Sequence, residues 1–596
     1  MKKKQINTAD KNQDYITILY DKEDALNFNK YKNTLQKKIY VFSPNIKLFL
    51  KNSENLKIFE PSIYDAKDLH LKTLATAQKI ITELDSPLNV QEILKINPGI
   101  AENIYNIFSV ITFSMSYLHE SLSSYEKFTL YKSNQWKNYE NKELFFKDFF
   151  EEILLKNNQK FLKVFKVEKV GFYCHLLKII NKFIFKNIKD NKKNIFFSGA
   201  RDLANNLLEL KPNSSRYVIF KKFNEFNIFH LLYNFGSILG IVNKNKYFYS
   251  LDNPPIDKNF SPILGKIFDN IHNNIFKNYQ SSLKAIISSY VHNQYSLLTD
   301  INKNFKPELV SKVIIDQLRF GEATLLSSFA KKNNIDVVLI PHGSISTPEN
   351  NTSKFILSVC SRGLVFSNLA TRVVAQSKVL YESIKFNDPG VLILKSKPLG
   401  FGKNLAKSLL PKSKEFIFLH AGTPKSLSVW PMIYETYYEY CENIKILIKI
   451  LSEIKNIKLV IRFRSGPECD LDSFKKIINL QKYPFVKISN ISNFKDDICN
   501  SNALISFAST SIEESLYLSK PVLLFNAVKD YRHVHYKFKN TDQKIFSSTE
   551  KNLKNNINNI LKEFGNNNDH ERSRSDILWS DEEIKKDSLE DYLLKI

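Results

Sequence analysis

Residues 506–525 constrain the fold of this chain more than any other segment does. Their sequence is SFASTSIEESLYLSKPVLLF, which reads as an apolar strand, a turn of small hydroxyl residues, a helix and a second apolar strand. Strand, helix and strand in succession are typical of an α/β fold with a parallel sheet. The turn would present free backbone N–H groups at the positive end of a helix dipole, and this arrangement suits a phosphate.

The same alternation recurs along the chain. Helix-length spacers separate further short apolar runs that we predict to be strands, at 15–20, 40–43, 57–60, 336–340, 415–420 and 458–463. A helical pattern is expected instead at about 66–190 and at 305–334. We therefore predict α/β architecture with two Rossmann-like domains that face a cleft. The expected parts are an N-terminal domain at 1–400 with a helical insertion at about 66–190, a C-terminal domain at 411–565 and a charged tail at 566–596.

The charge of the chain favours an anionic partner. Its formal net charge is +25 over 596 residues, which permits a membrane surface, a lipid diphosphate or a nucleotide. Nucleic acid is not expected as a partner, because no zinc-finger spacing, RNA-binding signature or long basic tail occurs. The five cysteines form no CxxC pair, which predicts a reducing compartment with neither disulfides nor a zinc site.

The predicted location is the cytoplasm. The basic N-terminus is followed by no apolar segment of a signal peptide, and no run of 18 apolar residues predicts a membrane span. Residues 143–189 are rich in Phe and Lys and allow two interpretations. The first is a helical insertion with a Phe-rich core, and the second is a basic amphipathic surface for peripheral contact with the inner face of the membrane.

The hydroxyl turn is the first candidate site. Ser509, Thr510 and Ser511 could bind a phosphate through hydroxyl and N–H groups, and Glu514, one turn into the helix, could reach ribose hydroxyls. The alternative is an ordinary N-terminal helix cap.

Two arginines at the end of a predicted strand form the second candidate. The chain contains ten arginines against a large excess of lysine, yet Arg462 and Arg464 are two residues apart. Such a pair suggests bidentate binding of a phosphate or a carboxylate, which lysine cannot supply. The alternative is a surface salt bridge with Glu468 or Asp470.

Two further strand ends carry candidate residues. The sequence HAGTPK begins at 420, where Gly422 would let the backbone approach a ligand while Thr423 and Lys425 contact phosphate. A turn followed by a helix start is the alternative.

The sequence PHGS begins at 341 and follows a predicted strand of the N-terminal half. His342 could act as a general base or acid, or bind a donor phosphate together with Gly343. Glu322 and Glu349 are the nearest carboxylate candidates for a base, and the sequence does not choose among the three. No metal site is expected, and the DxD form at 470–472 is interpreted as a helix cap.

Taken together, PHGS, HAGT, IRFR and STSIEESLYLSKPV resemble the motifs of GT-B-fold glycosyltransferases of bacterial capsule and lipopolysaccharide synthesis, including enzymes that use CMP-activated acidic sugars and CDP-glycerol. The resemblance covers roughly residues 305–525. It implies a metal-independent enzyme without a cofactor. The C-terminal domain would bind the nucleotide-sugar donor, and the N-terminal domain would bind a glycan or lipid-linked glycan acceptor.

Within this resemblance, Glu514 corresponds to a ribose-binding Glu, residues 509–511 to the phosphate-contacting turn, and His342 to the His-Gly of the N-terminal domain. Arg462 and Arg464 stand where related enzymes often have His-Pro, and Ser519 stands where Gly is usual. The arginines would suit a donor with an extra carboxylate, such as a CMP-linked nonulosonate or Kdo, while a UDP-sugar stays open. The alternatives are an enzyme like the UDP-GlcNAc 2-epimerases and an inactive GT-B scaffold that binds glycan or a partner.

Overall fold

The computed structural model contains three β-sheets surrounded by helices. It describes residues 15–32, 35, 37–51, 53–61, 66–93, 95–165, 193–199, 215–221, 246–250, 261–319, 321–341, 344–399, 415–422, 424–427, 434–466, 468–489, 494–527, 544–565 and 575–594, with a few single residues between 203 and 234.

The first sheet belongs to an N-terminal unit, residues 15–165. Its strand order is β3-β2-β1-β4-β5, and all neighbours are parallel except the β4–β5 pair. The predicted strands at 15–20, 40–43 and 57–60 are confirmed. The elements in chain order are β1 (Ile16–Leu19), α1 (Lys22–Tyr31), β2 (Lys38–Val41), α2 (Ile46–Phe49), β3 (Lys57–Phe59), α3 (Ala66–Leu84), α4 (Pro87–Ile93), α5 (Pro98–Leu122), β4 (Phe128–Lys132), β5 (Gln135–Tyr139) and α6 (Lys142–Phe165).

The predicted helical insertion contains a β-hairpin, so the helical expectation is wrong at 128–139. Strands β4 and β5 are joined by Ser133 and Asn134, which both have positive φ (53° and 64°), as in the tight turns that suit hairpins. Strand β5 reads QWKNY and is only partly buried, so it has no apolar run that would identify it in the sequence.

The second, middle sheet has the order β12-β11-β10-β9-β6-β7-β8 and is parallel throughout. Renumbered within the sheet, this is the order 3-2-1-4-5-6 of a Rossmann fold with one more strand at the end. Its elements are β6 (Lys193–Ser198), β7 (Ser215–Lys221), β8 (Lys246–Ser250), α7 (Ser261–Asp269), α8 (Asn274–Lys277), α9 (Gln280–Asn304), β9 (Val310–Ile315), α10 (Glu322–Lys332), β10 (Asp336–Leu339), α11 (Asn351–Ser361), β11 (Arg372–Ala375), α12 (Lys378–Asn387) and β12 (Leu392–Lys395).

The predicted helix at 305–334 is wrong in its first half. Residues 310–315 form strand β9, and helix α10 begins only at Glu322. The β9 sequence VSKVII is almost continuously buried, and a short apolar run of this kind does not distinguish a central strand from a helix. Gly321, with φ of 81°, separates the two elements.

The third, C-terminal sheet has the order β15-β14-β13-β16-β17-β18, which is again 3-2-1-4-5-6. Its predicted strands are confirmed, and so is the strand–helix–strand interpretation of 506–525. The elements are β13 (Phe416–Ala421), α13 (Tyr437–Leu451), β14 (Ile457–Arg462), α14 (Leu471–Ile477), β15 (Val486–Ser489), α15 (Phe494–Cys499), β16 (Ala503–Ser506), α16 (Ser511–Tyr517), β17 (Val522–Phe525), β18 (Ile545–Ser548) and α17 (Leu553–Phe564), followed by α18 (Asp581–Lys585) and α19 (Leu589–Leu594).

The predicted fold class is confirmed. The middle and C-terminal sheets are two Rossmann-like sheets in an α/β protein, as predicted. The strands predicted at 15–20, 40–43 and 57–60 belong to a sheet of their own, separate from the middle sheet, and this separation is what the sequence pattern does not predict. The predicted domain boundaries stay predictions.

Helix α5 joins the N-terminal unit to the middle sheet. Nearly all of its 25 residues are buried, between α3 on one side and α9 and α10 on the other. The N-terminal unit and the middle sheet consequently share one continuous hydrophobic core. Phe145, Phe146, Phe149 and Phe150 of α6 lie in this core, which supports the Phe-rich core interpretation for the described part of 143–189. Residues 166–189 lie outside the described residues.

The C-terminal tail crosses back to the middle sheet. Trp579 is buried, and its indole N–H donates to the backbone oxygen of Ala375 over 2.9 Å. The Tyr592 ring lies under Lys312 and Arg372, at 3.6 and 4.6 Å from the cations to the ring centroid. The tail therefore connects the two Rossmann-like sheets. Among the described helices, none has the length and apolarity that a membrane span needs.

Candidate functional site

The motifs of the C-terminal half meet at the carboxyl edge of the C-terminal sheet, where its parallel strands end. Ala421 at the end of β13 is in register with Arg462 at the end of β14. On the other side of β13, the Ser506 hydroxyl at the end of β16 donates to the Ala421 backbone oxygen over 2.7 Å. The fold thus brings HAGTPK, IRFR and the hydroxyl turn to one edge, which is where open α/β sheets bind ligands.

Gly422 owes its identity to close packing. A Cβ atom at this position would lie 2.6 Å from Cε2 of Tyr440 and 2.9 Å from Cε1 of His420, so any larger residue would displace an aromatic ring. His420 is itself buried, and burial lowers its pKa to about 4. His420 is therefore neutral at physiological pH and supplies no charge to the edge. Thr423 lies outside the described residues.

Arg462 has an acidic partner that the sequence did not suggest. Its guanidinium forms an ion pair with Asp497 of α15 and lies 5.3 Å from the centroid of the Phe494 ring. Asp497 also accepts a 2.6 Å hydrogen bond from the Ser489 hydroxyl. The predicted alternative, a salt bridge with Glu468 or Asp470, is wrong about the partner. Asp497 lies on α15, which follows β15, and β15 pairs with the strand that ends at Arg462.

Glu514 is a carboxyl group with an unusual environment. Burial raises its pKa to about 8, the neighbouring charge of Glu513 adds to this shift, and the positive charge of Arg462 opposes it. At neutral pH Glu514 is therefore mostly protonated, so it can donate as well as accept a hydrogen bond.

The hydroxyl turn has unused hydrogen-bonding capacity. Thr510 precedes α16 without a side-chain cap, so the predicted alternative of an ordinary N-cap is not realised by its hydroxyl. The Ser509 hydroxyl accepts a 3.3 Å bond from the Ser511 amide. The Ser511 hydroxyl is buried and has no hydrogen-bond partner in the described part of the chain. Buried polar groups are usually paired, so this turn retains a group that a ligand could satisfy.

A cluster of cations lies where the two Rossmann-like sheets approach each other. The Lys425 ammonium group is largely buried, and burial is the main cause that lowers its pKa. The positive charges of Arg464 and Arg319 lower this pKa further. We call Arg319, Lys425 and Arg464 the cation cluster. Arg464 is exposed and Lys425 is half-buried, and like charges this close together favour the binding of an anion with more than one negative charge.

Arg319 is the member of this cluster that the sequence analysis missed. It follows β9 at the carboxyl edge of the middle sheet, is 7% exposed, and donates to the backbone oxygen of Cys360. The scarcity of arginine that identified Arg462 and Arg464 was also a signal for Arg319. The sequence pattern predicts a helix at 305–334, and Arg319 instead follows the end of strand β9.

Two of the three proposed bases lie in the described part of the chain. Glu322 is the first residue of α10 and lies three residues beyond Arg319. Glu349 is exposed and precedes the N-cap of α11, where its amide binds the Ser353 hydroxyl at 3.0 Å. His342 and Gly343 lie outside the described residues, so their predicted roles stay predictions.

Asp470 is a helix cap, as expected. Its carboxylate accepts from the Ser473 amide at 2.8 Å at the start of α14, and these hydrogen bonds lower its pKa. Across the described ranges, no group of three or more His, Cys, Asp or Glu residues could hold a metal ion.

Lys520, in the SKPV segment, has a structural role. Its buried ammonium group donates to the backbone oxygens of Ile498, Cys499 and Ser501 at 2.5, 2.9 and 2.5 Å, so it caps the end of α15. Lys520 precedes β17 and therefore lies at the amino edge of the sheet, opposite the cation cluster.

Replacing Lys520 by Met is expected to lower the stability of the C-terminal domain by about 2 kcal/mol, because buried carbonyl groups lose their donor. Chemical denaturation followed by circular dichroism measures the change. Lys487→Met, at an exposed lysine of β15, is the matched control and should change little. Equal stability of the two variants would contradict the capping role.

Fold and site together define an α/β protein in which two Rossmann-like sheets meet at a cationic cleft. No protein-family model matches the chain, and a search of curated proteins finds no match. Solved structures with a similar chain course include a putative UDP-N-acetylglucosamine 2-epimerase from Listeria monocytogenes (12% identity, TM-score 0.39, 66% of this chain and 94% of that chain). Another is the glycosyltransferase of kitacinnamycin (10% identity, TM-score 0.36, 63% of this chain and 91% of that chain). A third is the UDP-GlcNAc 2-epimerase from Methanocaldococcus jannaschii (10% identity, TM-score 0.35, 66% of this chain and 98% of that chain). Similarity at this level carries no argument about activity.

Proposed function

We propose that this protein is a glycosyltransferase that moves a sugar from a nucleotide-sugar donor to a surface-glycan acceptor without a metal ion or a cofactor. The observation that carries the proposal is the cation cluster, which draws Arg319 from one Rossmann-like sheet and Lys425 and Arg464 from the other. A nucleotide phosphate bound between them would be neutralised from both sides of the cleft.

The chemistry follows from the charges. When the bond between the sugar and the donor phosphate breaks, negative charge accumulates on the departing phosphate. Cations already held in place stabilise that charge without reorganisation, and this effect is often a large part of enzymatic catalysis. Ser509, Thr510 and Ser511 would contribute hydroxyl and N–H donors, and Glu514 would bind the ribose. His342, Glu322 or Glu349 would accept the acceptor proton.

The donor is the finer part of the proposal. Since Arg462 is already paired with Asp497, Arg464 is the arginine of this segment that we assign to the ligand. A CMP-activated acidic sugar would supply a phosphate and a carboxylate to the cation cluster, while a UDP-sugar would supply a diphosphate, and both carry two negative charges. A reaction like that of the UDP-GlcNAc 2-epimerases is the second candidate, because it would use the same nucleotide site without an acceptor. An inactive scaffold is the third.

Titration calorimetry with CMP, UMP, CDP, UDP and GDP in metal-free buffer tests the proposal. We expect one nucleotide to bind, and at about 100 times its Kd it should also stabilise the protein by about 2.7 kcal/mol. Arg464→Lys and Glu514→Ala should weaken binding at least about tenfold. Arg372→Lys, at the amino edge of the middle sheet, is the control that should leave it unchanged.

The outcomes separate the candidates. A selective response to CMP supports the acidic-sugar donor. A response to UDP favours a hexose or hexosamine transferase or the epimerase, which a test for acceptor-independent conversion of UDP-GlcNAc then distinguishes. If no nucleotide binds, the enzyme proposal is wrong and the scaffold is favoured.

A further inference from the structure

One buried carboxylate holds together the two segments that carry Lys425 and Arg464. Glu468 is 6% exposed, and its Oε1 atom accepts hydrogen bonds from the Ser426 hydroxyl at 2.5 Å and from the Leu427 amide at 3.0 Å. Glu468 thus binds neutral donors on the residues that follow Lys425, and fixes the backbone on which that lysine is carried.

The segment of Glu468 is itself fixed on the Arg464 side. The Gly466 amide donates to the Cys469 backbone oxygen at 3.0 Å, which closes the turn around Glu468. The Tyr437 hydroxyl donates to the backbone oxygen of Arg464, also at 3.0 Å. A Cβ atom on Gly466 would lie 2.1 Å from that hydroxyl, so the turn packs directly on Tyr437.

The N-terminal unit reaches the same turn. The Ser43 hydroxyl, just beyond the end of β2, lies 2.5 Å from the Glu468 backbone oxygen and 2.6 Å from Oδ1 of Asn45, and these two acceptors share its one proton. Ser43 is 1% exposed, so water does not compete with them. A second contact joins His70 of α3 to Glu439 of α13 at 3.1 Å. Glu439 also accepts from the Thr436 amide at 2.9 Å, in the segment that pairs with Lys425.

We propose that Glu468 is a positioning residue for Lys425 and Arg464, and that the N-terminal unit holds it in place through Ser43. The proposal rests on the proposed function in one respect, namely that the cation cluster binds phosphate groups. The proposal gives a function to residues 15–165, whose sheet is separate from the two Rossmann-like sheets. That unit would complete the anion site from outside the cleft, by fixing the loops that carry two of its cations.

Inorganic pyrophosphate is the probe, since it presents two linked phosphates without nucleoside or sugar. Calorimetry with the full chain should show that Glu468→Ala weakens pyrophosphate binding by about tenfold or more. Glu468→Gln should stay within about threefold of the wild type, because the amide oxygen still accepts both hydrogen bonds. Ser43→Ala should weaken binding by about threefold.

Lys520→Met separates positioning from general destabilisation. It perturbs the same domain at the opposite edge of the sheet, and is expected to leave pyrophosphate binding unchanged despite its lower stability. If Glu468→Ala does not fold, Ser426→Ala removes one donor and should weaken binding by about threefold.

The proposal is overturned if Glu468→Ala binds pyrophosphate as tightly as the wild type, or if Glu468→Gln is as weak as the Ala variant. If Ser43→Ala binds pyrophosphate as tightly as the wild type, the part of the proposal that concerns the N-terminal unit is wrong. A wild-type chain that does not bind pyrophosphate also overturns it. A chain that binds pyrophosphate but no nucleotide contradicts the proposed function instead, and leaves the positioning test intact.

Discussion

Glu514→Gln is expected to raise the thermal stability of the protein at pH 8.5 and to leave it nearly unchanged at pH 5. Burial and the charge of Glu513 raise the pKa of Glu514 to about 8 in the folded chain, from an ordinary value of 4.5. The folded state therefore binds the proton more tightly than the unfolded state does. Stability is accordingly lost as the pH rises from about 4.5 to 8, and the full penalty is present above 8.

The expected effect is large. Each unit of pKa difference corresponds to about 1.4 kcal/mol, and after allowance for the partial exposure of the side chain we expect on the order of 2–3 kcal/mol at pH 8.5. In a domain of this size the melting temperature of Glu514→Gln should exceed that of the wild type by about 5 °C or more. Calorimetric scans at pH 5 and pH 8.5 measure the difference.

Glu550→Gln, at an exposed carboxylate of the same domain, is the control and should show no such pH dependence. A Glu514→Gln effect of equal size at both pH values would mean that the carboxyl group does not titrate in this range. Nucleotide binding by the same variant then tests the proposed ribose contact separately from stability.

The second large effect is expected for Arg362→Met. Nε and Nη2 of Arg362 bind the two carboxylate oxygens of Glu102 at 2.8 and 3.0 Å, and the guanidinium lies 3.8 Å from the centroid of the Tyr105 ring. Glu102 lies on α5 and is 5% exposed. Removing the arginine leaves this buried carboxylate without its cation, which costs about 3 kcal/mol.

Urea denaturation of Arg362→Met measures this loss. The double variant Glu102→Gln with Arg362→Met should recover part of it, because no unpaired charge then stays buried. Lys95→Met breaks the exposed pair of Lys95 with Glu92 and should change stability far less. If Arg362→Met were as stable as the control Lys95→Met, the Glu102–Arg362 pair would not contribute to joining α5 to the middle sheet.

Much of the fold could be read from local patterns, because central parallel strands are short apolar runs between helix-length spacers. Strands β1, β10, β13 and β14 were found in this way. Strands β5 and β9 were not predicted, because their burial differs from that of the strands that were found. Strand β5 (QWKNY) lies partly exposed at the edge of the sheet, and β9 (VSKVII) is buried along nearly all of its length, so neither shows the alternation that marks a half-buried strand.

The site was predicted less completely than the fold. Arg464, Lys425 and residues 509–511 share one edge because parallel strands end together, which sequence order can predict. The partner of Arg462 could not be predicted, since Asp497 lies 35 residues further along the chain and comes close only because β15 pairs with β14. Lys520 lies in the segment that carries the resemblance, and the structure shows that its ammonium group has a structural role at the opposite edge of the sheet.

What the sequence by itself determined is the class of fold and the residue types that meet at the C-terminal edge, because both follow from local periodicity and from the order of strands. Only the tertiary structure decided that the N-terminal strands form a separate third sheet, that Arg319 joins Lys425 and Arg464, and that Glu468 links their loops to Ser43. The reason is physical. Some of these contacts join residues more than a hundred positions apart, and others depend on how charged side chains from different segments lie next to one another. Neither kind of information is present in a local stretch of chain.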